Sequence, residues 1–279
     1  MAVLGHPVAH SVSPQMHNAA LAALSARDDR LAGWSYVAFD VEPARLPEAL
    51  SALGEHGFAG VNLTVPHKVL AVDLVSSLDE GAREAGAVNT LQREGGGWRG
   101  FNTDGYGLSA ALREDLGVEL RGSPVILLGA GGAARGAAVE CLRAGCSGLW
   151  VMNRSRPNLD GLLSLLSQVK GGSAARALGP GVPAPEGAIV VNATSAGLRP
   201  GDDAPADLSL LPRPSAVFDM IYNPRETRLL AQARALGIRA SNGLGMLVHQ
   251  GARSLEIWTG VPAASMAPIM RAAASKALG

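Results

Sequence analysis

A glycine-rich turn near the middle of the chain is the first candidate for a ligand site. The apolar run Pro124–Leu128 is followed by Gly129-Ala130-Gly131-Gly132-Ala133-Ala134 and then by residues typical of a helix. This order matches the G-x-G-x-x-G/A pattern, in which the first glycine permits a tight turn and the second lets the backbone approach a pyrophosphate. Since the helix N-terminus attracts phosphate, the pattern predicts a dinucleotide site at Gly129, Ala130, Gly131, Gly132 and Ala133.

The next apolar run indicates which dinucleotide is bound. Leu149–Met152 leads into Asn153-Arg154-Ser155-Arg156, and no carboxylate follows before Asp160. NAD-binding proteins place an Asp or Glu near the end of this strand, where it binds the ribose 2′-hydroxyl. Two guanidiniums and a hydroxyl suit a 2′-phosphate instead, because arginine offers paired donors to phosphate oxygens. We therefore expect NADP to bind at Asn153, Arg154, Ser155 and Arg156; a solvated arginine loop is the alternative.

Polar side chains elsewhere in the chain could hold a small substrate rich in hydroxyl groups. Ser, Thr, Asn and Gln side chains both donate and accept hydrogen bonds, so they can discriminate between polyols. A lysine beside a carbonyl can give a proton to the oxygen while hydride arrives at the carbon. Lys68 is a candidate for this role, although without its surrounding motif it would be interpreted as a solvated lysine on a helix face.

A series of sequence blocks resembles the motifs of the shikimate dehydrogenase family. The blocks occur in the family order, over nearly the whole chain, at Gly5–Asn18, Asn62–Lys68, Gly86–Thr90, Gly100–Gly105, Asn192–Gly197, Asp219–Pro224 with Thr227, Gly243–Gln250 and Trp258–Gly260. Two positions depart from the family pattern. Leu198 stands where Met is usual, and Ser155 stands where Thr is common.

The resemblance implies a fold, a reaction and a set of site residues. The fold is α/β, with an N-terminal substrate domain at residues 1–104, a Rossmann-like NADP-binding domain at 105–241, and C-terminal helices at 242–279 that return to the first domain. The reaction is the reversible NADPH-dependent reduction of 3-dehydroshikimate to shikimate. The resemblance makes Lys68 and Asp104 the catalytic pair. It assigns Ser11, Ser13, Thr64, Lys68, Asn89, Asp104, Tyr222 and Gln250 to the substrate, and Thr194, Met220 and Gly243 to the cofactor.

Two other functions remain open at this point. One is a quinate/shikimate dehydrogenase of the same superfamily that uses NAD(P). The Ser11-x-Ser13 pair and the missing carboxylate after the second strand favour shikimate and NADP. The other is a non-catalytic NADP-binding sensor, and the presence of Lys68 and Asp104 argues against it because a sensor has no need of a proton-transfer pair.

The elements that must position these residues follow from the apolar pattern. Short apolar runs bounded by Gly, Pro and Asn alternate with helical patterns, which predicts βαβ units and a mostly parallel sheet. Pro14–Ala26 is expected to be a helix with Ser13 as its N-cap. The other expected elements are a strand at Gly60–Thr64, a hairpin of Val88–Leu91 with Trp98–Gly100, a helix at Gly105–Leu116, and helices at Leu247–Trp258 and Ala263–Ala277.

Composition argues against several classes of function. Apolar residues make up 47% of the 279 residues, which is enough for a sizeable core. Lys plus Arg equals Asp plus Glu at 24 each and only 4% of residues are aromatic, so nucleic acid is not an expected partner. Cys141 and Cys146 lack accompanying His or Asp ligands, and we expect no metal. With neither a leader pattern nor an apolar run of about 20 residues, we expect a cytoplasmic protein without membrane contact. The sequence does not decide between a monomer and a homodimer.

Overall fold

The computed structural model describes residues 1–179, 181–199 and 201–279, and these residues form two compact units. The first unit contains Met1–Thr103 together with Val248–Gly279, and the second contains Asp104–Leu247. The domain boundaries expected from the sequence, 1–104, 105–241 and 242–279, stay a prediction. In the described part of the chain no helix combines the length and the apolar character needed to cross a bilayer.

Strands and helices alternate along both units. The strands are β1 (Ala2–Gly5), β2 (Val37–Asp40), β3 (Gly60–Leu63), β4 (Ser77–Leu78), β5 (Thr90–Glu94), β6 (Gly97–Phe101), β7 (Pro124–Leu128), β8 (Gly148–Met152), β9 (Ala175–Ala177), β10 (Ile189–Asn192), β11 (Ala216–Asp219) and β12 (Ala240–Ser241). The α-helices are α1 (Ser13–Ser25), α2 (Leu46–Glu55), α3 (His67–Leu70), α4 (Glu80–Ala85), α5 (Asp104–Leu116), α6 (Gly132–Arg143), α7 (Arg156–Leu166), α8 (Arg228–Ala235), α9 (Leu244–Thr259) and α10 (Ala263–Ala277).

The first unit is built on a mixed sheet with the strand order β2-β1-β3-β5-β6-β4. Strand β1 pairs in parallel with β2 and β3, whereas β5 is antiparallel to both β3 and β6. The β5–β6 pair is the predicted hairpin, and Glu94 and Gly97 are the last paired residues before its turn. Helix α2 packs on this sheet through Leu46, Leu50 and Leu53, whose spacing places them on one face.

The start of α1 differs from the sequence expectation. The N-cap is Val12, because its carbonyl already accepts a hydrogen bond from Met16 N (3.2 Å). No side chain caps this end, so the prediction that Ser13 is the N-cap is wrong. Ser13 lies inside the first turn, where its own N–H donates to Ser11 Oγ (3.3 Å). With this bond to the preceding loop, α1 begins at Ser13, one residue before the start at Pro14 that the sequence predicts.

The second unit is a parallel sheet with the strand order β9-β8-β7-β10-β11-β12. Numbered within this unit, the order is 3-2-1-4-5-6, which is the doubly wound order of dinucleotide-binding folds. Strand β7 lies at the centre and is buried from Val125 to Leu128, as its continuous apolar run predicts. Strand β8 pairs with one side of β7 and β10 pairs with the other side. The carboxyl end of β7 is therefore the topological switch point, where such folds bind ligands.

Candidate active site

Polar residues of the first unit meet at one edge of its sheet, namely the edge formed by the carboxyl ends of its parallel strands. The parallel strands β1 and β3 end at this edge, and the antiparallel β5 begins there. Thr64 follows β3, and its N–H donates to Leu4 O of β1 (2.9 Å). Asn89 precedes β5, and its N–H donates to Phe101 O at the end of β6 (3.0 Å). The strand pairing therefore brings Thr64 and Asn89, predicted to bind substrate, to the same edge.

Asn62 is the centre of a buried hydrogen-bond network beneath this edge. The two hydrogens of its Nδ2 are shared among three acceptors, Asn89 O (3.1 Å), Thr90 Oγ1 (3.0 Å) and Ser254 Oγ (2.9 Å). Its Oδ1 accepts from the buried hydroxyl of Tyr36 (2.7 Å). A buried amide is costly unless it is hydrogen-bonded, and here the bonds join β3, β5 and α9. The network thus fixes the backbone on which Asn89 stands.

The same network orients the side chain of Asn89 and brings it next to Gln250. Asn89 Oδ1 accepts from the backbone N–H of Thr103 (2.8 Å), which determines which way the amide is turned. Asn89 Nδ2 donates to Thr103 Oγ1 (3.0 Å) and approaches Gln250 Oε1 (3.4 Å). Ser254, one helical turn after Gln250, donates to the backbone carbonyl of Gln250 (3.0 Å) and so ties the helix backbone at Gln250 to the network. Two amides predicted to bind ring hydroxyls therefore lie side by side.

Ser13 is held from inside the unit by His17. The Nδ1 of His17 is 2.9 Å from the carbonyl of Ser13, so Nδ1 carries the proton and donates. The imidazole is buried and stacks on Tyr36, with ring centroids 4.0 Å apart. Burial lowers the pKa of His17 from 6.5 to about 4, because the charged ring would be desolvated. His17 is therefore a neutral part of the core beneath the serine pair.

Lys68 lies in the short helix α3, directly after the turn that carries Thr64. His67 N donates to Thr64 O (2.8 Å) across this turn, and the carbonyl of Lys68 accepts from Val88 N (2.7 Å). The side chain of Lys68 is half-buried, whereas His67 beside it is fully buried. Burial lowers the pKa of His67. The backbone of Lys68 is thus tied to the same sheet edge as Asn89.

The predicted substrate residues are divided between the two units. Ser11, Ser13, Thr64, Lys68, Asn89 and Gln250 belong to the first unit. Asp104 and Tyr222 belong to the second unit. Asp104 is buried and is the first residue of α5, while Tyr222 is half-buried in the loop after β11, where burial raises its pKa.

The glycine-rich turn of the second unit has the geometry that a pyrophosphate requires. Gly129 has φ +114°, and a Cβ there would lie 3.0 Å from Ala193 O, so the tight turn needs glycine. Gly131 is exposed and is the N-cap of α6. A Cβ on Gly131 would meet no atom within 4 Å, so the space in front of the helix N-terminus is open. The first-turn N–H groups and this space fit a dinucleotide phosphate.

The two arginines after β8 differ in their surroundings. Asn153 Nδ2 donates to Ser155 O (2.8 Å) and closes the turn that carries Arg154. Arg154 is exposed in this turn. Arg156 is already the first residue of α7, and its Nε donates to Asp160 (2.9 Å) one turn later. Arg154 is consequently the arginine that the turn itself presents, whereas Arg156 is paired within the helix.

Thr194, Met220 and Gly243, which were assigned to the cofactor, lie in the loops that follow β10, β11 and β12, respectively. Thr194 N and Thr194 Oγ1 both donate to Asn192 Oδ1, at 2.9 and 2.8 Å. Met220 N donates to Asn192 O (2.9 Å), and Gly243 N donates to Ile221 O (3.0 Å). A Cβ on Gly243 would overlap the carbonyl of Met220, so glycine is required where these two loops touch.

Comparison with known proteins establishes the family. The shikimate dehydrogenase substrate binding domain matches residues 3–91, and the shikimate 5'-dehydrogenase C-terminal domain matches residues 243–274. The NADP(+) shikimate dehydrogenase of Symbiobacterium thermophilum is 41% identical over 285 residues, covering 100% of this chain and 94% of the relative. This chain belongs to the shikimate dehydrogenase family. The resemblance seen in the sequence blocks is thereby confirmed.

Other members of the shikimate dehydrogenase family agree with this assignment. The NADP(+) enzyme of Rubrobacter xylanophilus is 44% identical over 262 residues, which cover 93% of this chain and 90% of that protein. The crystal structure of the Thermus thermophilus enzyme with NADP(H) and shikimate has a TM-score of 0.83 and 37% identity, covering 99% of this chain and 98% of that one. A shikimate dehydrogenase solved with NADP+ has a TM-score of 0.84 and 34% identity, covering 100% and 95%. The predicted α/β fold is confirmed.

Several buried polar residues of this shikimate dehydrogenase fold had no role in the sequence interpretation. They are Asn62, Thr90, Thr103, Ser254, Asn192 and Asp219. Asn62, Asn192 and Asp219 each lie in an otherwise apolar strand, where an unpaired polar side chain would be costly. That position in the strand was the available signal, since it predicts a partner close by.

Proposed function

We propose that this protein is an NADP-dependent shikimate dehydrogenase that catalyses the reversible reduction of 3-dehydroshikimate to shikimate. Its relatives in Symbiobacterium thermophilum and Rubrobacter xylanophilus carry this name with NADP(+), and the Thermus thermophilus neighbour was solved with NADP(H) and shikimate. One observation in the structure carries the proposal. The first unit has a sheet edge lined by hydroxyl and amide groups, with Lys68 in the helix that follows. The second unit has a glycine-rich turn after β7 and an arginine, rather than a carboxylate, after β8.

The substrate is proposed to bind through two kinds of contact. The hydroxyl groups of Ser11 and Ser13 donate hydrogen bonds to the substrate carboxylate, and Tyr222 is a third donor. Thr64, Asn89 and Gln250 bind the ring hydroxyls. The adjacent amides of Asn89 and Gln250 support this assignment, because paired amides can match a polyol with both donors and acceptors.

Lys68 and Asp104 are proposed to handle the proton and one ring hydroxyl. NADPH, when bound, supplies the hydride. Lys68 Nζ gives a proton to the carbonyl oxygen as the carbon becomes tetrahedral, and in the reverse direction its neutral amine takes the proton back. Asp104 accepts a hydrogen bond from a substrate hydroxyl and thereby orients the ring.

The cofactor is proposed to bind along the carboxyl edge of the parallel sheet. Gly129, Ala130, Gly131, Gly132 and Ala133 hold the pyrophosphate at the start of α6. Asn153 shapes the turn from which Arg154 and Ser155 bind the 2′-phosphate, with Arg156 a weaker contributor because of its bond to Asp160. Thr194, Met220 and Gly243 hold the nicotinamide end. Cytoplasmic location and a monomeric or homodimeric state stay predictions from the sequence.

A turnover assay tests the proposed function. Purified protein is incubated with shikimate or quinate and with NADP+ or NAD+, and reduced nicotinamide is followed by absorbance. We expect the highest kcat/KM for shikimate with NADP+. Faster turnover of quinate would instead indicate the quinate/shikimate type of enzyme. NADP+ binding without turnover of either substrate would indicate a sensor and overturn the proposal.

A further inference from the structure

Asp219 is a buried carboxylate at the end of β11 whose hydrogen bonds come from neutral donors. Its Oδ1 accepts from Asn192 Nδ2 (2.8 Å) and from Ile221 N (3.1 Å), and its Oδ2 accepts from Thr227 Oγ1 (2.6 Å). The side chain has no exposed surface. Burial raises the pKa of Asp219, and these hydrogen bonds oppose the rise. A carboxyl group kept in such a place needs a reason beyond packing, because burial of this group is costly.

The first branch of this network leads to Thr194. Asn192 and Asp219 are register partners on the neighbouring strands β10 and β11. The amide of Asn192 donates to Asp219 with its nitrogen, so its oxygen points the other way and accepts from Thr194 N and Thr194 Oγ1. Thr194 Oγ1 in turn accepts from Ala196 N (3.1 Å). Asp219 therefore sets the orientation of the Asn192 amide, and that amide shapes the loop after β10.

The second branch leads to Met220 and Gly243. Met220 lies between Asp219 and Ile221, and both of its neighbours are held, one by the strand and one by the carboxylate. The carbonyl of Ile221 accepts from Gly243 N, and the carbonyl of Met220 lies against Gly243. Thr194, Met220 and Gly243 are thus each one or two hydrogen bonds away from Asp219.

A third contact ties the network to α8. Thr227 donates to Asp219 and is also the N-cap of α8, where its Oγ1 accepts from Leu230 N (3.3 Å). The hydroxyl can do both, because it has one hydrogen to donate and lone pairs to accept. The loop 220–226 is therefore held at both ends by one carboxylate.

We propose that Asp219 is a positioning residue for the nicotinamide end of the cofactor. Its carboxylate holds the loops after β10 and β11, and through the bond from Gly243 N to Ile221 O also the loop after β12, in the shape that presents Thr194, Met220 and Gly243 together. The inference rests on the proposed function, since it assumes that these three residues contact NADP(H). It assigns no contact between Asp219 and the cofactor itself.

The test compares Asp219→Ala and Asp219→Asn with the unchanged protein. Turnover is measured at saturating NADPH, and the primary deuterium isotope effect is measured with deuterated NADPH. Binding is measured separately with 2′,5′-ADP, which contains the 2′-phosphate but no nicotinamide. We expect kcat to fall about 10- to 100-fold, as for a reacting group misplaced by about 1 Å. We expect a larger isotope effect. The affinity for 2′,5′-ADP should stay within about twofold of that of the unchanged protein, which is a small change compared with the tenfold that 1.4 kcal/mol would cause.

Matched variants separate positioning from general stability. Thr227→Val removes the hydroxyl that both donates to Asp219 and caps α8, whereas Thr227→Ser keeps it, so in folded protein only the first should reproduce the loss, even if the Asp219 variants do not fold. Asp207→Asn makes the same chemical change at an exposed turn of the same unit and should leave all three measurements unaltered. An unchanged kcat and isotope effect in folded Asp219→Ala and in Thr227→Val overturns the inference, as does a parallel loss of 2′,5′-ADP binding. Absence of NADPH and 2′,5′-ADP binding in the unchanged protein would instead refute the proposed function.

Discussion

At the scale of single residues, Lys68 is the side chain on which the proposed chemistry depends. Lys68→Ala should lower kcat by about 10²–10⁴, the usual contribution of a positioned proton donor. NADPH affinity should stay near normal, because the residues assigned to the cofactor belong to the other unit. The variant should fold, since the hydrogen bond from Val88 uses the backbone carbonyl of Lys68. Steady-state kinetics with shikimate and a direct NADPH titration measure the two quantities.

Two further results bear on the same residue. Lys68→Arg keeps the charge but should not restore turnover, because a guanidinium does not give up its proton readily. If Lys68→Ala turned over shikimate at a near-normal rate, the proton donor would have to be a different group.

Arg154 and Arg156 are distinguishable only with the structure in hand. Arg154→Ala should raise KM for NADP about 10- to 100-fold and leave KM for NAD nearly unchanged, since a charged hydrogen bond is worth about 1.5–3 kcal/mol. Arg156→Ala should have a smaller effect, because Arg156 is paired with Asp160. KM for both cofactors is measured in each variant. Equal losses for NADP and NAD in Arg154→Ala would show that the turn does not recognise the 2′-phosphate.

At the scale of elements, the turn between β7 and α6 contains one glycine needed for folding, Gly129, and one proposed to be needed for cofactor binding, Gly131. Gly129 has a positive φ and lies against Ala193, so Gly129→Ala should lower the Tm. Gly131 has φ −84° and ψ −172°, which any residue can adopt, and a Cβ there meets no neighbouring atom. Gly131→Ala should therefore keep the Tm but weaken NADPH binding at least about tenfold, because the methyl group fills the space proposed for the pyrophosphate.

Thermal melting and NADPH titration on the same two variants check this expectation. The reverse pattern, with normal NADPH binding in a folded Gly131→Ala protein, would place the pyrophosphate elsewhere. The comparison is informative because the two glycines are separated by a single residue in one turn, yet only one of them is required by backbone geometry.

At the scale of the whole molecule, His17 links folding to pH. Its pKa is about 4 in the folded chain and 6.5 without the protein environment, so the unfolded state binds the proton more tightly. The contribution of neutral His17 to the free energy of unfolding is therefore fully present above about pH 6.5. It is lost as the pH falls from about 6.5 to about 4, by up to about 3 kcal/mol. His17→Asn keeps a donor near Ser13 O but cannot titrate, so its Tm should fall less over this pH range.

A matched control exists at the C-cap of α2. The Nδ1 of His56 lies 2.8 Å from the carbonyl of Ala52, four residues earlier, which is the same local geometry as in His17, but His56 is exposed. His56→Asn should leave the pH dependence of the Tm as it is in the unchanged protein. A wild-type slope in His17→Asn would show that carboxylates, and not this histidine, account for the acid sensitivity.

The sequence alone determined the features that depend on neighbours a few residues apart. The apolar run of β7, the limits of α10, the β5–β6 hairpin and the glycine-rich turn all follow from local periodicity and turn chemistry. The family blocks added the candidate site residues Lys68, Asn89 and Gln250 without showing how they are held.

Only the tertiary structure decided the hydrogen bonds between distant segments. Asn62 bonds to Ser254, 192 residues later, and Asp219 joins Asn192 to Thr227. The physical reason is that propensity and periodicity act over a turn or two, whereas a buried polar group takes whichever partner the packed strands and helices bring to it.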